Sequence, residues 1–211
     1  MKKYFVILIV VIFVCNALLA NEELLQKFLQ KNEKITTFKA NFEQRNYWTE
    51  SDIEHFSFGN LYTKDDKIKL EFYYPEPQTM LGTENDLRFY FPEKKQLLIQ
   101  DWSYWQNFIN PKLLAKEYID FCELQSTDKY RNVTIFTFKP TEVMSDFSEL
   151  VIQFSNQDSL IEVIEYMDNY DNEVGFKFTN KVINDEIPDS TFMLEIPENV
   201  SVVDQRTAQD K

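Results

Sequence analysis

A chain of 211 residues with a net charge of −13 and 16% aromatic side chains is long enough for one large β-rich domain. It is too acidic to be a good partner for nucleic acid or anionic lipid headgroups. Its 19 Phe and 11 Tyr favour sheet, and its three glycines, Gly59, Gly82 and Gly175, leave Asn and Asp to form the turns.

Residues 1–20, MKKYFVILIVVIFVCNALLA, read as a secretory signal peptide. Lys2 and Lys3 form the charged start and residues 4–14 the apolar run. Residues 17–20 are a small-residue exit with cleavage before Asn21. Residues 21–211 then form a single domain. A retained anchor helix and lipid attachment at Cys15 are the competing readings. Ile12-Phe13-Val14 lacks the small residue that lipid attachment needs beside the cysteine. Loss of Lys2 and Lys3 moves the charge from −13 to −15. Cys122 is left without a disulfide partner and reads as a small buried residue.

Residues 21–35 place Leu24, Leu25, Phe28, Leu29 and Ile35 at helical spacing, an amphipathic helix lying on the sheet. The period then changes: Phe38, Ala40 and Phe42 alternate with Lys39, Asn41 and Glu43 in the first strand. Residues 47–54 are polar, a loop or a hairpin extension, and His55 opens the next strand. Residues 56–92 hold four short strands, stopping at Tyr73-Tyr74-Pro75 and Tyr90-Phe91-Pro92. Within them Ile68, Leu70, Phe72 and Tyr74 are expected on a greasy face, with Lys67, Lys69, Glu71 and Tyr73 on a wet one.

A turn at residues 93–96 leads to a short strand ending at Asp101. Residues 102–122 read as a helical insertion broken at Asn110-Pro111. Strands follow at residues 133–139, 150–154 and 161–167. Phe176, Phe178 and residues 192–196 supply the last ones, and residues 199–211 form a polar tail. About ten to eleven antiparallel strands and two helical regions result. A sheet of that length curls or closes, and helices over its mouth would be a lid.

The chain has one histidine, His55, so no histidine pair can share acid–base work. It has no nucleophile elbow, no glycine-rich phosphate loop and no Cys/His cluster for zinc. With 35 acidic residues, a grouping such as Asp168, Asp171 and Glu173 is expected by chance and suits a solvated turn, not a calcium loop. Nothing points to an enzyme, a cofactor or a metal.

The landmarks in order are FKANFEQ (residues 38–44), GNLY (59–62), YYP (73–75), LRFYFP (87–92), FTFKP (136–140) and FMLEIPENVSVVDQR (192–206). Behind an amphipathic helix, this set resembles the LolA family of periplasmic outer-membrane lipoprotein carriers over essentially the whole mature chain. The resemblance implies a mainly β fold with α: a strongly curved, unclosed antiparallel β-barrel with helices covering the concave face. The enclosed apolar cavity would receive lipoprotein acyl chains in a periplasmic, monomeric carrier. It further implies an inner-membrane lipoprotein-releasing ABC transporter as donor and an outer-membrane lipoprotein receptor, which a divergent member could lack. A carrier or sensor of other lipids on the same fold is the alternative.

Alternation and this resemblance together place Ile68, Leu70 and Phe72 on the cavity wall, with Leu61 and Met80 from neighbouring strands. Phe42, Ile152 and Phe154 join them on faces that ordinary packing could equally use. The lid is expected from Leu24, Leu25, Phe28 and Leu29, and from Trp105, Phe108, Ile109, Leu113 and Leu114 of the insertion. The family often carries Arg-Pro after the GNLY strand, its Arg latching the lid. Here Lys64-Asp65-Asp66 stands instead, so closure is expected to rest on apolar contact, with Lys64 or Lys67 as substitute donor. Thr83-Glu84-Asn85-Asp86 likewise replaces the family's Asp-Gly turn.

Overall fold

The computed structural model describes residues 20–101, 119–141 and 147–206. Residues 20–32 form helix α1. Leu25, Phe28, Leu29 and Asn32 make the buried stripe that their spacing dictates.

Twelve strands follow: β1 (Thr37–Trp48), β2 (Ile53–Lys64), β3 (Lys67–Tyr74), β4 (Gln78–Gly82), β5 (Leu87–Phe91), β6 (Gln96–Gln100), β7 (Cys122–Lys129), β8 (Val133–Pro140), β9 (Phe147–Ser155), β10 (Ile161–Asp168), β11 (Glu173–Ile183) and β12 (Ser201–Asp204). They form one sheet in the order β12-β6-β5-β4-β3-β2-β1-β11-β10-β9-β8-β7. Among the described residues no pairing joins β7 to β12, so the sheet curls without closing. Aspartate and asparagine make its sharp turns as expected. Asp52, Asp65 and Asp171 have positive φ in turns, with Lys95 and Ser159, Asn180 has it at a bulge inside β11 and Asn184 just beyond that strand, and none of the glycines does.

One face of this sheet is a continuous apolar core. Phe38, Ala40 and Phe42 of β1 join Leu61, Ile68, Leu70 and Met80 on one flank. Phe136, Phe138, Leu150, Ile152, Phe154, Ile164, Phe176 and Phe178 join them on the other. Helix α1 lies on this concave face.

Several expectations need correction. The second strand opens at Ile53, five residues beyond its contact with β3, instead of at His55. A register shift between Phe58 and Gly59 pairs Tyr74 with Phe58 and Phe72 with Gly59. Phe58 neighbours Gly59 and faces outward, so Tyr74 leaves the face of Phe72 and stands with Phe58, ring centroids 5.8 Å apart. Residues 122–129 are strand β7, so the expected insertion does not extend to Cys122 as helix. Residues 199–211 are more than a tail, because Ser201–Asp204 pairs with β6 as the sheet's parallel edge. Residues 192–196 are not a strand: a single 3-10 turn at Asp189–Phe192 gives way to unpaired extended chain.

The convex face over β2–β5 is not fully wet either. After β11 the chain runs as a strap, residues 184–200, to reach β12. Ile187 and Phe192 of the strap pack on Leu81, with Tyr62 and Leu194 at the edge. Beneath it Lys69, expected in solvent, is buried and pairs with Glu71 at 2.6 Å. A buried ammonium is tolerated because a carboxylate is beside it.

Candidate functional site

The concave apolar face is the candidate site. Its floor depends on Gly59. A Cβ there would lie 2.5 Å from the Phe42 ring and 2.4 Å from the Glu71 carbonyl oxygen. The missing side chain lets Phe42 lie across β2 and meet Phe72 edge-on, with ring centroids 4.9 Å apart.

Helix α1 is seated by Phe28. Its ring stacks on Phe154 at 4.9 Å and meets Phe136 edge-on at 5.9 Å. Leu25 and Leu29 are buried beside it and Leu24 packs at the margin. The end of the helix is fastened by a residue that sequence reading passed over. Asn32 is 1% exposed, and its side-chain amide donates to the Phe28 carbonyl and to the Ser159 carbonyl, each at 2.8 Å. The only sequence signal was a polar residue four positions after Phe28 on an apolar stripe.

At the opposite end of the helix a groove of about 460 Å³, half polar in its lining, opens between Glu22, Leu25 and Gln26 on one side and Ile119, Cys122, Glu123, Leu124 and Phe138 on the other. Ligand pockets commonly fall within roughly 300–1,000 Å³. Cys122 is half-buried, less enclosed than its sequence context suggested, and burial pushes its thiol up to about 11. It is a neutral lining group at neutral pH.

The residues expected from sequence on the cavity wall are packed in the core of the concave face. Phe42, Leu61, Ile68, Leu70, Met80, Ile152 and Phe154 are buried in one cluster with Leu25, Phe28 and Leu29, and Phe72 borders it. Trp105, Phe108, Ile109, Leu113 and Leu114 lie outside the described residues. The suggested role of Lys64 and Lys67 at the lid is corrected. The Lys64 ammonium donates to the Ile187 carbonyl and to Asp189, each at 2.9 Å, and Lys67 approaches Asp189 at 3.8 Å. Both point to the convex side and hold the strap, because β2 and β3 direct these side chains away from the face of Leu61 and Ile68.

The site offers apolar contact and not reactive groups. Among the described residues no group of three or more His, Cys, Asp and Glu side chains is placed to hold a metal ion. His55 stands edge-on to Trp48 at 5.1 Å on an exposed hairpin, away from this core. Asp168 caps its own turn, accepting from the backbone N–H groups of Tyr170 and Asn172, as expected of solvated turn residues.

Residues 33–195 match the family model "Outer membrane lipoprotein carrier protein LolA". An outer-membrane lipoprotein carrier protein of Pseudomonas putida (strain W619) is 25% identical over 190 residues, covering 87% of this chain and 88% of that one. The crystal structure of an uncharacterized conserved protein from Thermus thermophilus superposes with a TM-score of 0.58. It is 12% identical and covers 88% of this chain and 99% of the other. At that identity the likeness concerns the fold alone.

Proposed function

The chain belongs to the LolA family, and from that premise we propose that it is a non-enzymatic periplasmic carrier taking lipoproteins from the inner to the outer membrane. The acyl chains would bind on the concave face beneath helix α1. A donor in the inner membrane, the lipoprotein-releasing ABC transporter, and an outer-membrane receptor would complete the route. The signal-like residues 1–20 support export.

The observation that carries the reading is the seating of α1. Among the described residues, α1 covers the concave face with Leu25, Phe28 and Leu29 buried in its core, and Asn32 is its polar anchor to the Ser159 carbonyl. Cargo would enter by displacing those side chains. Exposing them costs roughly 1.5–3 kcal/mol each, or about 5–9 kcal/mol together. An acyl chain that buries a dozen methylenes returns about 0.8 kcal/mol for each, near 10 kcal/mol in all. One chain therefore offsets the opening, and an empty carrier closes again. A face sealed by ion pairs or by a larger apolar layer would not balance in this way. The groove beside Leu25 supplies the starting point.

Depletion of the protein followed by membrane fractionation tests the assignment: lipoproteins of the outer membrane should accumulate in the inner membrane. Normal sorting after depletion would overturn it. Mass spectrometry of material extracted from protein purified from its own host separates the two ligand classes. Triacylated lipoprotein is expected, and other lipids alone would instead point to a general lipid carrier or sensor.

A further inference from the structure

The β1–β2 hairpin outruns its neighbour on one side. β1 and β2 pair along their whole length, from Thr37 with Lys64 to Trp48 with Ile53. β3 begins to pair with β2 only at Phe58, opposite Tyr74. Residues Ile53–Ser57 therefore have β1 on one side and, among the described residues, no strand on the other. An open edge presents backbone N–H and C=O groups as a template for another strand.

This edge is apolar as well as open. Ile53 and Phe56 of β2 are 45% and 37% exposed, on opposite faces of the strand, and Trp48, across from Ile53 on β1, is 41% exposed. Its tip is also acidic: residues 47–57 contain Glu50, Asp52 and Glu54 and no Lys or Arg, and of these acids Glu54 is paired with Arg45. The hairpin is held firmly. Arg45 bridges Glu54 of the hairpin to Glu173 of β11, the latter at 2.5 Å. The Thr49 hydroxyl donates to the Asp171 carbonyl, and the Tyr47 hydroxyl donates to Asp52 at 3.0 Å. A fixed template loses little freedom when a partner docks.

We propose that Ile53–Ser57 docks an extended basic segment of another protein, which adds as a strand beside β2. Backbone hydrogen bonds would supply the pairing, Ile53 and Phe56 the side-chain contacts, and the acidic tip the preference for Lys and Arg. A second copy of this chain is disfavoured, since edge-to-edge pairing would oppose acid with acid. An anionic membrane surface is disfavoured by the same charges. The inference concerns the outer hairpin and holds whatever the concave face carries.

The test uses three synthetic octapeptides against isotope-labelled protein: alternating Lys and Val, alternating Glu and Val, and the Lys/Val peptide N-methylated at alternate residues. The Lys/Val peptide should shift the amides of residues 53–57 and slow their exchange with solvent. The other two should not. Glu50→Lys, at an exposed loop position, should weaken the Lys/Val peptide roughly fivefold at low salt and leave the fold unchanged. Phe56→Ala should weaken it independently of salt. Four results overturn the proposal: no shift, equal binding by the acidic or N-methylated peptide, shifts on the concave face instead of the hairpin, or the same shifts produced by phosphatidylcholine vesicles or by self-association.

Discussion

The two faces of this one sheet are covered by different chemistries. On the concave side, α1 is held by Leu25, Phe28 and Leu29, with Asn32 as its single described polar fastening to the sheet. On the convex side, the strap has a smaller apolar seat, Ile187 and Phe192 on Leu81, but several polar pins. Lys64 engages Ile187 and Asp189. The Thr37 hydroxyl donates to the Asp185 carbonyl at 2.6 Å, and the Asn184 side chain accepts from the Thr36 backbone at 2.8 Å. Apolar contact is non-directional and can be re-formed against a new partner. Directed hydrogen bonds hold one arrangement. On the proposed function, α1 would be the cover that cargo displaces and the strap a fixture on the convex face.

The severest way to break this contrast is to spoil the seat of α1. Phe28→Ala should lower stability in urea unfolding by about 3–5 kcal/mol. Phe28→Asp should lower it at least as much, about 4 kcal/mol or more, and abolish uptake of a fluorescent acyl probe. Probe binding retained by Phe28→Asp would mean that the helix is not the cover. A second blow comes from below. Gly59→Ala puts a methyl against the Phe42 ring and the Glu71 carbonyl, so a loss of about 1–3 kcal/mol is expected, with weaker probe binding as the Phe42–Phe72 contact shifts.

Asn32→Ala sharpens the contrast. It leaves the Ser159 carbonyl without its donor, for a loss of about 1–3 kcal/mol. In hydrogen exchange, amides of residues 24–32 should lose protection while those of the strap keep theirs. Equal loss in both would show that helix and strap move as one unit.

The smallest effect belongs to the lysine pin. Lys64→Ala should leave probe uptake intact and shift Tm by no more than about 2 °C. Its signature lies in acid. The Lys64 hydrogen bond, then the charges of Lys64 and Lys67, hold the Asp189 carboxyl below the ordinary carboxylate range. A carboxyl whose pKa is lowered by folding contributes stability that is complete above its unfolded value, near 4, and is lost as pH falls through its folded value. Protection of the amides of residues 186–193, relative to their intrinsic exchange at each pH, should therefore fall below about pH 4 in the wild type. Asp189→Asn should remove that pH dependence. A pH response unchanged by Asp189→Asn would assign it to another group.

Much of this was legible from local pattern. Helix α1 and strands β1, β3 and β8 announce their periods, and the residues expected on the cavity wall pack in the buried cluster or at its border, as core residues do. Strand β7 was not legible, since Cys122–Lys129 alternates weakly and is held by pairing to β8. Tyr74 was misplaced because a bulge changes the parity of a strand without changing its sequence pattern. Lys69 was read as solvated because lysine usually is, but a strap more than a hundred positions later covers it.

By itself the sequence determined helix α1, most of the strands and, where no bulge intervenes, which of their faces are apolar, because side-chain periodicity follows from backbone geometry over a few residues. Only the tertiary structure decided what covers each face and which charge meets which. Asn32 reaches Ser159 across 127 positions and Lys64 reaches Ile187 across 123. A lysine at the end of β2 carries no local mark of whether it faces a lid or a strap. The order of strands in the curled sheet settles that, by bringing distant segments within the 3 Å or so over which a hydrogen bond acts.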